Sequence, residues 1–102
     1  MRFLVLTFTN QIMPPETAAQ TTGATIEWIN KYREKGIMKD VFSLGGINGG
    51  GGILDVDTPE QLDEIMIEFP MNPFSEIKIY PLSDVKHALT HMQQHMQNMV
   101  NQ

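Results

Sequence analysis

Residues 2–9 (Arg2, Phe3, Leu4, Val5, Leu6, Thr7, Phe8, Thr9) form an almost unbroken run of bulky or β-branched side chains. Without polar alternation, such a run predicts a strand whose two faces are both removed from water. Phe3, Val5 and Thr7 point to one side, and Leu4, Leu6 and Phe8 to the other. One layer of helices shields only one of these faces. The chain has 102 residues, enough for one domain that buries only ~65% of its extended surface. The second face therefore requires a cover, either the chain's own C-terminal segment or a second copy.

The remaining elements follow from local chemistry. Pro14 and Pro15 after the turn at Asn10 predict a helix start, with Glu16 favourably near its N-terminus, and the helix runs to Lys35 before Gly36 stops it. Ile26, Ile29 and Tyr32 mark its inner side, with Trp28 nearby. Four threonines and Gly23 weaken its first half, Thr17 to Thr25, and predict fraying or a break there. Residues 37–44 predict a second strand and residues 52–56 a third. The connection between them carries six glycines in the eight residues Gly45 to Gly52 and reads as a flexible hairpin. A phosphate cradle is excluded, because no Gly-Lys-Ser/Thr ending occurs and a strand follows instead of a helix.

Thr58, Pro59, Glu60, Gln61 is a helix-start signature, with Thr58 as N-cap, Pro59 at the first position and Gln61 completing a capping box. Leu62, Ile65, Met66 and Phe69 then repeat at helical spacing, and Pro70 ends the pattern. Residues 76–80 alternate as a fourth strand. Ser83 caps a last helix with the stripe Val85, Leu89, Met92, Met96 and Met99. The β-α-β-β-α-β order with an added helix is α+β and ferredoxin-like. It comprises a domain over 1–82 and a C-terminal helix over 83–102 that packs on the domain or on the partner subunit. If two sheets closed face to face into a dimeric α/β barrel, burying ~1,000 Å² of apolar surface would contribute ~25 kcal/mol, more than the ~4–15 kcal/mol cost of association. A homodimer or higher homo-oligomer is the expectation.

Composition narrows the function classes. A net charge of −5 argues against nucleic acid as a partner, since phosphate contacts need clustered cations. The absence of cysteine removes disulfides, thiolate nucleophiles and thiolate metal sites. No segment reaches the ~18 apolar residues of a membrane helix. The N-terminal run lacks a small-residue cleavage site, so no membrane partner and a cytoplasmic location are expected.

From Arg33 to Leu82 the chain resembles the muconolactone isomerase family. The resemblance rests on Gly36, Gly46, the pair Asp55-Val56, Leu62, the Phe69-Pro70 stop, Pro73, Phe74, Ile77 and Leu82, in ungapped spacing. It implies a ferredoxin-like subunit paired into barrels, a small-molecule cavity between sheet and helices, and cofactor-free transfer of a proton that shifts a double bond in an unsaturated lactone. Leu4 and Leu6 stand where the family carries polar or basic residues, and Asp40 and Ser43 where it carries basic and imidazole groups. Glu27 falls where the family is also acidic.

Three readings follow. The first is a cofactor-free isomerase or cyclase of a small unsaturated carbonyl compound. Glu27 would be the acid/base, because a carboxylate in an apolar cavity is poised to exchange protons near neutral pH. Asp40 and Tyr32 would assist, and Leu4, Leu6, Phe8, Trp28, Phe42 and Phe74 would hold a small apolar ligand. The second is a cofactor-independent monooxygenase on the same barrel. The third is a non-catalytic binding or accessory protein. His87, His91 and His95 recur at four-residue spacing on the last helix. With no carboxylate or cysteine to complete a closed site, they read as a polar flank and no metal is assigned.

Overall fold

Proline and glycine set the limits of the first helix in the computed structural model, which describes residues 1–102. After β1 (Arg2–Thr9), Pro14 holds an extended backbone and Pro15 opens α1 (Pro15–Glu34). Gly36 at φ +73° ends it. The Gly36 N–H donates to the Arg33 carbonyl and the Ile37 N–H to that of Tyr32, the paired bonds of a glycine-closed helix end. The expected break in α1 is absent. The Thr21 and Thr25 hydroxyls donate to the carbonyls of Thr17 and Thr21, at 2.7 and 2.8 Å, so two of the weak helix formers are satisfied along the helix itself.

β2 (Met38–Ser43) and β3 (Gly49–Asp55) form the predicted hairpin, but only Gly45 and Gly46 of the six glycines lie in its loop. Gly49 to Gly52 are strand residues, paired with β1 on one side; on the other, Gly50 to Gly52 pair with β2. Only residues 44–48 turn. α2 (Pro59–Ile67) begins as read: the Thr58 side chain accepts from the Gln61 N–H, while the Gln61 side chain accepts from Asp57, one residue earlier than in a strict capping box. A short 3₁₀ turn (Asn72–Phe74) leads into β4 (Ser75–Leu82). Pro81 fits within β4 because that strand lies at the sheet edge, where a missing N–H is tolerated.

The sheet order is β2-β3-β1-β4, antiparallel throughout. Register assigns the faces. Phe3, Val5 and Thr7 of β1 lie beside Leu54, Gly52 and Gly50 of β3 on the helix side. An extra residue in β2 between Met38 and Val41 keeps both of these on that side as well. The core between this face and the helices consists of Val5, Tyr32, Met38, Leu54, Val56, Leu62, Ile65, Met66 and Phe69. Ile26, expected on the inner side of α1, is exposed, whereas Trp28 and Ile29 pack against the core.

The opposite face carries Leu4, Leu6, Phe8, Ile53, Phe42 and Tyr80 and has no cover within the subunit. α3 (Val85–Val100) does not supply one. Asp84, not Ser83, is its N-cap, accepting from the His87 N–H at 2.7 Å, and none of its residues is buried. The subunit consequently measures 65 × 29 × 21 Å. No helix is long and apolar enough to cross a membrane.

Candidate functional site

A cavity of about 260 Å³ lies between α1 and the sheet. It exists because β3 offers Gly50 and Gly52 at helix-facing positions: without side chains there, the space above the strand stays empty. Val5, Thr7, Val41 and Leu54 form the floor, Thr25, Trp28 and Ile29 the roof, and Phe69 and Met71 close one end. The other end opens where Ser43 and Asn48 are exposed. Trp28 is fixed in the roof by its indole N–H, which donates to the Ile65 carbonyl at 3.1 Å, and by its ring, which lies 4.9 Å from that of Phe69. The polar atoms within reach of a ligand are neutral: the hydroxyls of Thr7, Thr9, Thr25 and Ser43, the Asn48 amide and strand backbone.

The predicted site residues divide sharply. Trp28 lines the cavity, and Phe42 borders it through its backbone. The Phe42 ring lies on the far side, beside Leu6 across Gly51. Leu4, Leu6 and Phe8 lie wholly on the uncovered face, because a strand sends alternate residues to opposite sides. Phe74 is half-buried and outside the cavity, its carbonyl accepting from the Asn10 N–H. Glu27 is exposed; helical spacing turns it away from Thr25, Trp28 and Ile29. Asp40 is exposed at the β2 edge. Within one subunit, no ionisable group lines the cavity.

Tyr32 belongs to a different cluster. Its ring is buried, edge-on to Trp28 at 6.1 Å, and its hydroxyl donates to Glu68 on the outer side. Lys31 donates to the same carboxylate oxygen at 3.1 Å. The Tyr32 hydrogen bond, with that of Lys31, holds Glu68 below its ordinary value of 4.5. Burial, with the hydrogen bond to Glu68, pushes Tyr32 above 10.0, and the bond to Glu68 raises Lys31 above 10.5. The trio ties α1 to the end of α2 just behind the cavity wall. His87, His91 and His95 are exposed on α3, and no group of three or more His, Asp or Glu side chains is arranged to hold a metal ion.

Sequence reading missed Thr7, Thr9, Thr25, Val41 and Asn48 as lining residues. The signal for Thr7 and Thr9 was available: they continue the alternation set by Val5. The Tyr32–Glu68 pair, 36 positions apart, left no local trace.

Comparison with known proteins matches this architecture. The family model for muconolactone delta-isomerase matches residues 1–88. A crystal structure of muconolactone isomerase superposes with a TM-score of 0.77 at 21% identity, covering 82% of this chain and 90% of that one. 5-Chloro-2-hydroxyhydroquinone dehydrochlorinase from Burkholderia phenoliruptrix AC1100, in complex with 2,5-dihydroxybenzoquinone, superposes at 0.60 and 12% identity, covering 85% and 98%. No curated protein matches the chain.

Proposed function

The chain belongs to the muconolactone delta-isomerase family, and from that premise we propose that it is a homo-oligomeric, cofactor-independent isomerase of a small unsaturated carbonyl compound. The observation that carries the reading is the apolar cavity between α1 and the glycine-bearing strand, of a size for a compact monocyclic ligand. Moving a proton along an unsaturated carbonyl system develops charge on the carbonyl oxygen. The Thr7 and Thr25 hydroxyls already donate to the Gly50 and Thr21 carbonyls, so the Ser43 hydroxyl and the Asn48 amide are the donors free to orient that oxygen. A water-poor cavity strengthens such bonds.

The acid/base enters from outside the single subunit. Glu27 and Asp40 both face outward, so either acts on the cavity of a neighbouring copy and not on its own. The uncovered sheet face, with Leu4, Leu6 and Phe8 at its centre, lies on the other side of the sheet from the cavity and is a separate apolar surface for a second copy. Solvent deuterium incorporation into an unsaturated lactone, followed by NMR with the wild type, Glu27→Gln and Asp40→Asn, tests the assignment. The wild type should exchange and shift the double bond, and one of the two variants should lose at least 100-fold in rate. If both variants retain full rate, neither carboxylate is the proton carrier.

A second reading, a small-molecule-binding protein without chemistry, is favoured by the lack of any ionisable group in the cavity. It predicts saturable binding of such lactones with no deuterium exchange at all.

A further inference from the structure

α3 projects from the domain with one apolar line along it. Val85, Leu89, Met92, Met96 and Met99 are each more than half exposed, between 55 and 68%. Their spacing is four, three, four, three, an unbroken run of the a and d positions of a heptad. α2 provides the contrast within the same chain. It lies on the sheet, and its buried set of Leu62, Ile65 and Met66, continued by Phe69, carries the extra neighbour that widens an apolar face for packing on a layer. The α3 line lacks such a doubling along most of its length. A narrow seam is the geometry of one helix against another helix.

From this pattern we infer that α3 is a pairing helix whose partner is α3 of a second copy of this chain. Charge points the same way. Lys86 is the only Asp, Glu, Lys or Arg side chain from residue 85 to the end, so the chain's net −5 becomes −6 for the part before α3. Two such bodies repel each other, and α3 is a surface on which two copies can meet without opposing carboxylates. Of the flanking positions Lys86, Ala88, Gln93, His95 and Val100, only Lys86, at the first turn, brings a fixed charge to the contact. Burying five half-exposed side chains from each of two copies removes on the order of 1,000 Å², the lower bound for a specific interface. Four of the five seam residues lie beyond residue 88, where the family match ends. The inference does not depend on the isomerase reading.

The chain has no cysteine, so any introduced thiol is unique. Full-length Met92→Cys and Met96→Cys, oxidised separately and as an equimolar mixture, should form a covalent dimer. Like-with-like bonding marks parallel helices, and bonding in the mixture alone marks antiparallel ones. Gln94→Cys, on the opposite side of the helix, should cross-link at least ten-fold more slowly. Adding Leu89→Glu to the cross-linking variants should slow them by a similar factor, while far-UV circular dichroism keeps the sheet signal, since α3 has no buried residue to disturb. Equal rates at positions 92 and 94 overturn the inference. So does preferential bonding of Met92→Cys to Leu6→Cys in a mixture, which would seat α3 on the partner's sheet.

Discussion

Replacing Trp28 with Phe trims the roof of the cavity and removes one of the side-chain bonds that tie α1 to α2. The indole N–H donates to the Ile65 carbonyl at 3.1 Å, and losing a partly buried bond of this kind costs about 1 kcal/mol. The indole also meets Phe69 at 4.9 Å and Tyr32 edge-on at 6.1 Å, and a smaller ring forfeits part of each contact, about 1 kcal/mol in sum. The loss of apolar burial is modest because Trp28 is only half-buried. The expected destabilisation is therefore about 2 kcal/mol, which for a domain of this size lowers Tm by about 10 °C. Trp28 is the only tryptophan, so the transition is followed by far-UV circular dichroism in urea and on heating. A loss below about 0.5 kcal/mol would mean that the indole neither anchors α1 nor fills the space assigned to it, and the cavity wall would need to be redrawn.

Two further perturbations probe the frame around the cavity. The Tyr32–Glu68–Lys31 trio makes stability depend on pH in a defined sense. Glu68 is depressed, so its contribution is present above pH 4.5 and lost as pH falls through its folded value. Tyr32 and Lys31 are raised, so theirs are full below 10.0 and 10.5 respectively and lost as pH rises through the folded values. Urea midpoints should form a plateau between these limits, and Tyr32→Phe should lower the plateau and flatten both flanks. Unchanged flanks would remove the trio as their cause. Gly51→Ala should be severe, because a β-carbon there would lie 2.4 Å from the Val5 carbonyl oxygen and 2.9 Å from Leu6 Cδ2, which forces β1 and β3 apart. Gly23→Ala has nothing within 4 Å and a helical backbone, and should stabilise by about 0.5–1 kcal/mol. Thermal melts of the pair decide; a tolerated Gly51→Ala would contradict the close strand approach.

The element order was legible because each element carries its own local signal. Thr58-Pro59 and Gly36 mark helix ends through backbone chemistry that acts within a few residues, and Leu62 to Phe69 mark a buried helix face through spacing alone. The first half of α1 reads as weaker than it is because intrinsic propensity yields to tertiary packing, and the same helix is anchored on the core by Trp28, Ile29 and Tyr32. The glycine run misled for a different reason. Glycine disfavours an isolated strand, yet between β1 and β2 the pairing of both edges outweighs that preference. The site was the least legible part, because residue type and resemblance do not give direction: helical geometry turns Glu27 away from its own subunit's cavity, and strand alternation sends Leu4, Leu6 and Phe8 to the other face of the sheet.

By itself, then, the sequence determined the β-α-β-β-α-β succession, the helix caps and the excess of apolar strand surface, since these arise from contacts between near neighbours. Only the folded sheet decided which side of β1 meets the helices, that two glycines of β3 open a cavity beneath Trp28, and that Tyr32 reaches Glu68. Those depend on register between strands and on approach between helices far apart in the chain, where a shift of one residue reverses every face.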